Sequence, residues 1–204
     1  SILEKSKNYK TSFVIQKKDG FKGRLSIEDS QVYYDDTFYF NIPKKSKISV
    51  LAISDNTSSE FLKKIYSKDE FIFKSQDFKA LDFSQIKNTN LIVLNGVNDI
   101  SIALKNSLKD FMTNGGITVL IPGDQGNISS YNQLISTQTI HSLKPIKSQE
   151  KSITDLEFDH FILKEVFKSK VTNFQYPSVN SYYPITTLTN KILSFEDQQA
   201  FLSQ

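Results

Sequence analysis

Cysteine is missing from all 204 positions. That single absence excludes disulfides, thiolate metal sites and cysteine nucleophiles together. It says little about redox compartment, although it is compatible with an envelope protein. No apolar run approaches the roughly 20 residues that a membrane helix needs, and the first residues do not read as a signal peptide. An excess of one charge is also lacking: 25 basic residues face 22 acidic ones, for a net charge of +3. So small and scattered an excess gives no footprint for nucleic acid. Glycine-rich nucleotide loops are absent. Asn95-Gly96-Val97-Asn98 offers one glycine where a dinucleotide fingerprint has three, so NAD is not expected, and no other cofactor is implied. No serine sits in a G-x-S-x-G elbow.

What is present is organised around Asn90–Asp124. Leu91-Ile92-Val93-Leu94 is apolar on consecutive residues, and so is Ile117-Thr118-Val119-Leu120-Ile121 apart from its threonine. Strands buried on both faces of a parallel sheet read this way. Between them Ile100, Ala103, Leu104, Leu108, Phe111 and Met112 share one helical face, which predicts an amphipathic helix. Asp99 is placed to cap its start, and Gly115 to end it in a left-handed conformation. Strand, helix and strand at this length make a right-handed βαβ crossover.

Upstream, Ile48–Ser54 predicts a further buried strand. Thr57 and Glu60 suggest a capping box that opens a helix carrying Phe61, Leu62, Ile65 and Tyr66. Phe71–Phe73 reads as a short strand, and 83–86 as a turn. The order from Ile48 is that of a doubly wound, flavodoxin-like parallel sheet with helices on both faces. Residues 1–46 read as β. A hairpin is expected between 11–16 and 21–27 through Asp19-Gly20, then strands at 31–34 and 38–42. In the last run Phe38, Phe40 and Ile42 alternate with polar neighbours. That segment has too few apolar side chains for a core of its own. It must pack on the rest of the chain, or be the end of a β-sandwich. A start at Ser1 without methionine suggests a piece excised from a larger protein. After Asp124 the signal weakens. A short helix is expected near Tyr131–Leu134, a helix or turns at 158–167, and strands at 179–185 and 191–195. The last of these is followed by a hairpin partner at 200–202 that could extend the sheet antiparallel.

Candidate chemistry gathers at strand ends. Ser54, Asp55 and Asn56 follow the first parallel strand, Asn95, Asn98 and Asp99 the third, and Gly123 and Asp124 the fourth. In an open parallel sheet the carboxyl ends of the strands line the ligand crevice, and helix amino termini there attract anions. A small-ligand or peptide-end site would use these residues, but each also serves as an ordinary cap or turn former. Asp29, Asp35 and Asp36 could gather round a hard cation, yet they match no calcium loop, and no metal is expected. His141 and His160 are the only histidines. A hydrolase of unusual type would need His160 beside a hydroxyl and a carboxylate. Phe174, Tyr176-Pro177 and Tyr182-Tyr183-Pro184 form an aromatic cluster suited to covering a sheet edge or anchoring an interface.

Several stretches carry a resemblance: 29–36 with Phe38-Tyr39-Phe40, 47–53, 91–95, Phe111-Met112-Thr113-Asn114-Gly115-Gly116, Tyr131-Asn132-Gln133-Leu134 and 160–167. Together they resemble the class I glutamine amidotransferase-like domain, in the version found in aerotolerance-type, BatA-like membrane proteins of Bacteroidetes. The resemblance implies an α/β domain over 47–204, with 1–46 as the end of an immunoglobulin-like β-region. It also implies membrane helices outside this sequence, an anchored protein with this domain on the periplasmic side, and other envelope or membrane proteins as partners. Catalytic amidotransferases place a cysteine on a sharp turn after a sheet strand. The matching turn here is taken to be Pro122-Gly123-Asp124, which has no such group. No catalytic residue carries over, and the expectation is a non-catalytic interaction or sensing domain.

Overall fold

A strand that is apolar on consecutive residues needs cover on both of its faces, and the runs at 48–54 and 91–95 obtain it. The computed structural model describes residues 10, 12, 14, 20–27, 36–44, 46–55, 59–66, 69–139, 141–164, 166, 175–187 and 191–204. The chain divides into two compact units, Ser1–Ser46 and Lys47–Gln204.

In the first unit β1 (Phe21–Ser26) pairs antiparallel with β2 (Thr37–Ile42), and Gly23 stands opposite Phe40. The Phe40 ring covers that glycine so closely that a Cβ there would lie 2.3 Å from it. Phe21 meets the ring edge-on at 5.7 Å and Phe38 stacks on it at 6.5 Å. Aromatic cover of this kind compensates a strand glycine. Phe40 is half-buried, while Phe38 and Ile42 are exposed. The expected strands at 11–16 and 31–34 lie largely or wholly outside the described residues. The described partner of 21–26 is 37–42.

The second unit opens with β3 (Ile48–Ser54), α1 (Glu60–Ile65), β4 (Phe71–Asp77), β5 (Leu91–Asn95), α2 (Ile102–Thr113) and β6 (Ile117–Ile121). Two short 3-10 helices, Phe78–Ala80 and Phe83–Asn88, lead into β5. The four strands form one parallel sheet in the order β4-β3-β5-β6. This is the doubly wound order expected from the sequence, and the fold is α/β. Alternation splits the core. Leu51, Ile53, Ile92 and Leu94 pack with Leu104, Leu108 and Phe111 of α2. Val50, Ala52 and Val93 pack with Leu62 of α1 on the other face.

Helix ends depart from expectation in two places. α2 is capped by Ser101, whose hydroxyl accepts the Leu104 amide at 3.2 Å, and not by Asp99. Ile100 is buried, and its amide donates to the Ser130 hydroxyl. The helix therefore starts after it, and the Asp99 carboxylate accepts from the Asn127 side chain instead. α1 starts later than a Thr57 cap implies. Glu60 is its first residue rather than its third, and the N-cap Ser59 makes no side-chain cap bond; Thr57 lies outside the described residues. The other end of α2 is as expected. Gly115 takes φ +88°, its amide donates to Met112, and that of Gly116 donates to Phe111, completing a Schellman motif.

Beyond β6 come α3 (Ile128–Ile135), β7 (Ser142–Leu143), β8 (Lys147–Leu156), α4 (Phe161–Lys164), β9 (Ser178–Tyr182), β10 (Ile185–Thr186), β11 (Lys191–Phe195) and β12 (Ala200–Ser203). β11 and β12 do form the expected hairpin. They do not extend the parallel sheet, however; they belong to a separate antiparallel sheet in the order β12-β11-β8-β9. Its core holds Ile153, Tyr182 and Phe195, and beside them the buried Lys151. The Lys151 ammonium lies 4.6 Å from the Tyr182 ring centre and 5.3 Å from that of Phe195, and it pairs with Asp197.

Burial works against the Lys151 charge, but its bonds to Asp197 and Tyr182 outweigh that and hold its pKa above the ordinary lysine value. The same hydrogen bond holds the Asp197 carboxyl below its ordinary value. A lowered carboxyl pKa stabilises the fold above the unfolded-state pKa, roughly 4, and that contribution fades as pH falls through the folded value. Asp197→Asn should therefore lower the melting temperature at pH 7 while flattening its acid-side decline. Thermal melts at pH 7, 4 and 3 check this, and an unchanged acid limb would contradict it.

Candidate functional site

The register levels the carboxyl ends of the sheet. Ser54 stands opposite both Asp77 and Asn95, and Asn95 opposite Ile121. The strand order reverses between β3 and β5, so Ser54 and Asn95 flank the topological switch point, where ligands bind in sheets of this type. The structure thus brings these two sequence candidates together. Both are buried, and the Asn95 amide lies 3.5 Å from the Ser59 hydroxyl. Asp55 meets Lys79 at 3.5 Å. Asn56 lies outside the described residues.

The remaining candidates are held in a backbone lock. Tyr131 is wholly buried. Its hydroxyl donates to the Val97 carbonyl at 2.6 Å and accepts from the Gly123 amide at 3.1 Å. Burial pushes its pKa above the usual tyrosine value. The Tyr183 hydroxyl donates to the Gly123 carbonyl at 2.6 Å and accepts from the Gly126 amide at 3.3 Å. The backbone amide of Asn127 donates to the Asn98 carbonyl at 2.7 Å. Gly123, Asn98 and Asp99 therefore shape the turn after β6, while Asp124 is exposed beside it.

Sequence reasoning placed the sharp turn of interest at Gly123. The left-handed residue at a strand end is instead Gly96, with φ +66°, between β5 and α2. A positive φ there was signalled only by the pair Asn95-Gly96. Neither turn presents a reactive side chain at its glycine.

Neither histidine makes the set a hydrolase would need among the described residues. His160 accepts the Ile162 amide at its Nδ1, at 3.3 Å, and lies against Phe161. His141 has hydroxyls on both ring nitrogens, Thr187 at 2.9 Å and Ser203 at 3.3 Å. Among the described residues no group of three or more potential ligands could hold a metal ion. Asp29 and Asp35 lie outside them. The aromatic cluster is divided: Tyr182 packs on Phe195, Tyr183 on Tyr131, and Tyr176 is exposed. Phe174 lies outside the described residues.

A feature missed in the sequence is a recess of about 510 Å3 between β6 and the C-terminal strands. Leu120, Leu134, Tyr182, Phe195 and Phe201 form apolar walls, and His141 supplies a polar group. Its size suits a bound ligand. The residues that build it come from segments as far apart as Leu120 and Phe201, so no local pattern announces it. Among the described residues, no helix is long and apolar enough to cross a membrane.

No family model matches the chain. No curated protein matches it. Among solved structures the chain is similar to a crystal structure described as a "putative thua-like protein" from Bacteroides uniformis ATCC 8492, at 14% identity and a TM-score of 0.47. The match covers 76% of this chain and 62% of that one, and nothing of that protein's chemistry is carried over.

Proposed function

We propose that this chain works by binding another molecule, as a non-catalytic interaction or sensing module. The observation that carries the reading is the contrast between the two surfaces described above. At the strand ends, backbone and tyrosine hydroxyls consume the polar groups of the turns, whereas a mostly apolar recess lies beside the edge strand β6. The BatA-like resemblance supports a setting for it. The module would be held at the membrane by segments outside this sequence and exposed on the periplasmic side, with residues 1–46 closing an immunoglobulin-like region and other envelope proteins as partners.

A second reading, a small-ligand site at the strand-end crevice, is favoured by Ser54 and Asn95 meeting at the switch point. A screen for amidase, esterase and glutaminase turnover, run on the native chain and on Asp124→Ala, tests the non-catalytic reading. The expected result is no turnover in either protein. An isolated exposed carboxylate has little nucleophilic power of its own, so robust turnover, whether or not it is lost in Asp124→Ala, would overturn the reading.

A further inference from the structure

β6 ends the parallel sheet, and among the described residues no strand pairs with its outer edge. The Ile117 amide donates to Asn90, and the Ile121 carbonyl accepts from Gly96. Those bonds turn the odd-numbered backbone groups toward β5. In a parallel strand the alternate residues point the other way, so the N–H and C=O groups of Thr118 and Leu120 face outward. Both residues line the recess. The Thr118 hydroxyl oxygen is buried and has no hydrogen-bond partner among the described residues.

Edges left open are normally blunted by lysine, proline, inward charges or a bulge. The opposite edge strand, β4, carries Lys74 and Asp77. β6 reads Ile-Thr-Val-Leu-Ile, without charge, proline or register shift.

We infer that the outer edge of β6 is a docking strand, which takes an extended apolar segment of a partner protein by strand addition into the recess. This rests on the binding-module reading and names its partner class. A lipid chain would fill the apolar walls but would leave the outward amides and carbonyls unpaired. An extended peptide meets them at the strand repeat and places every second side chain in the recess.

The test selects phage-displayed random 12-residue peptides on the 204-residue chain and counter-selects on Thr118→Pro. That substitution removes an outward amide that no sheet bond uses, a position where strands tolerate proline. Thr118→Lys, which leaves the backbone intact, serves as a second variant, and thermal melts confirm that each is folded. Selected peptides should alternate apolar residues and bind at least tenfold more weakly to both variants. On binding they should slow amide exchange at Thr118 and Leu120 at least tenfold, while leaving Val119 unchanged.

Equal binding to native chain and folded variants would overturn the inference, as would failure to enrich any peptide. Saturable binding of dodecanoate that survives Thr118→Pro, with no peptide selected, would assign the recess to lipid and overturn it too. These outcomes are separate from the turnover screen. Turnover would remove the binding-module reading itself, and loss of peptide selection only the choice of partner.

Discussion

Leu94→Asp abolishes the cooperative melt of the α/β unit. Leu94 is fully buried on β5, between β3 and β6, and packs in the cluster that holds α2. The substitution removes an apolar side chain that the core cannot replace and leaves a carboxylate with no partner. Cavity and charge terms together exceed about 5 kcal/mol, against a total stability on the order of 5–15 kcal/mol. Circular dichroism and gel filtration check it; a soluble variant with a sharp melt would count against β5 as a central strand. Leu120→Asp, which the sequence makes look equivalent, should do much less. Leu120 is half-buried on the edge strand beside the recess, where water can reach a new charge.

Tyr131→Phe is the other large effect. The ring would remain, still edge-on to Tyr183 at 6.3 Å, but one oxygen now serves two backbone groups. Losing it leaves the Val97 carbonyl and the Gly123 amide without that partner, at a cost of roughly 2–4 kcal/mol. For a chain of this size that is a melting-temperature drop on the order of 10 °C. Tyr183→Phe should cost less, because its ring is only partly buried. The two effects should not add, since both hydroxyls bind Gly123. Additive losses in a double-mutant cycle would show that the turn is not held as one unit.

The sequence was most legible where burial is two-sided or periodic. The apolar runs 48–54 and 91–95, the α2 face and Gly115 each left a local signal, and the parallel order followed from them. Centre and edge strands were not separable, because apolar runs look alike until neighbours are assigned. β8 was invisible for a different reason. In Lys-Ser-Gln-Glu-Lys-Ser-Ile-Thr-Asp-Leu the two buried residues are Lys151 and Ile153, and a lysine that finds its counter-ion 46 positions away, at Asp197, reads as solvent-facing.

Of the candidate site, Ser54 and Asn95 were placed correctly at one edge by counting strands. The bonds that hold the turn residues were not legible, because the tyrosines that hold Gly123 lie 8 and 60 positions away. The Tyr131-Asn132 pair quoted for the family resemblance proves structural. Asn132 brackets Leu143 with both atoms of its amide, as a neighbouring strand would.

The closeness of the two strand-end turns carries a lesson for anyone wishing to install chemistry here. A Cβ added at Gly123 would meet the Gly96 carbonyl oxygen at 3.0 Å and the Asn98 side-chain oxygen at 2.8 Å. At Gly96 any side chain would have to adopt a left-handed backbone, which L-residues rarely tolerate. The Gly96 turn thus occupies the room into which Gly123 would project a reactive group. A graft of cysteine or serine at Gly123 would collide with the opposite turn, one at Gly96 would strain its own backbone, and a designer would have to rebuild both loops together.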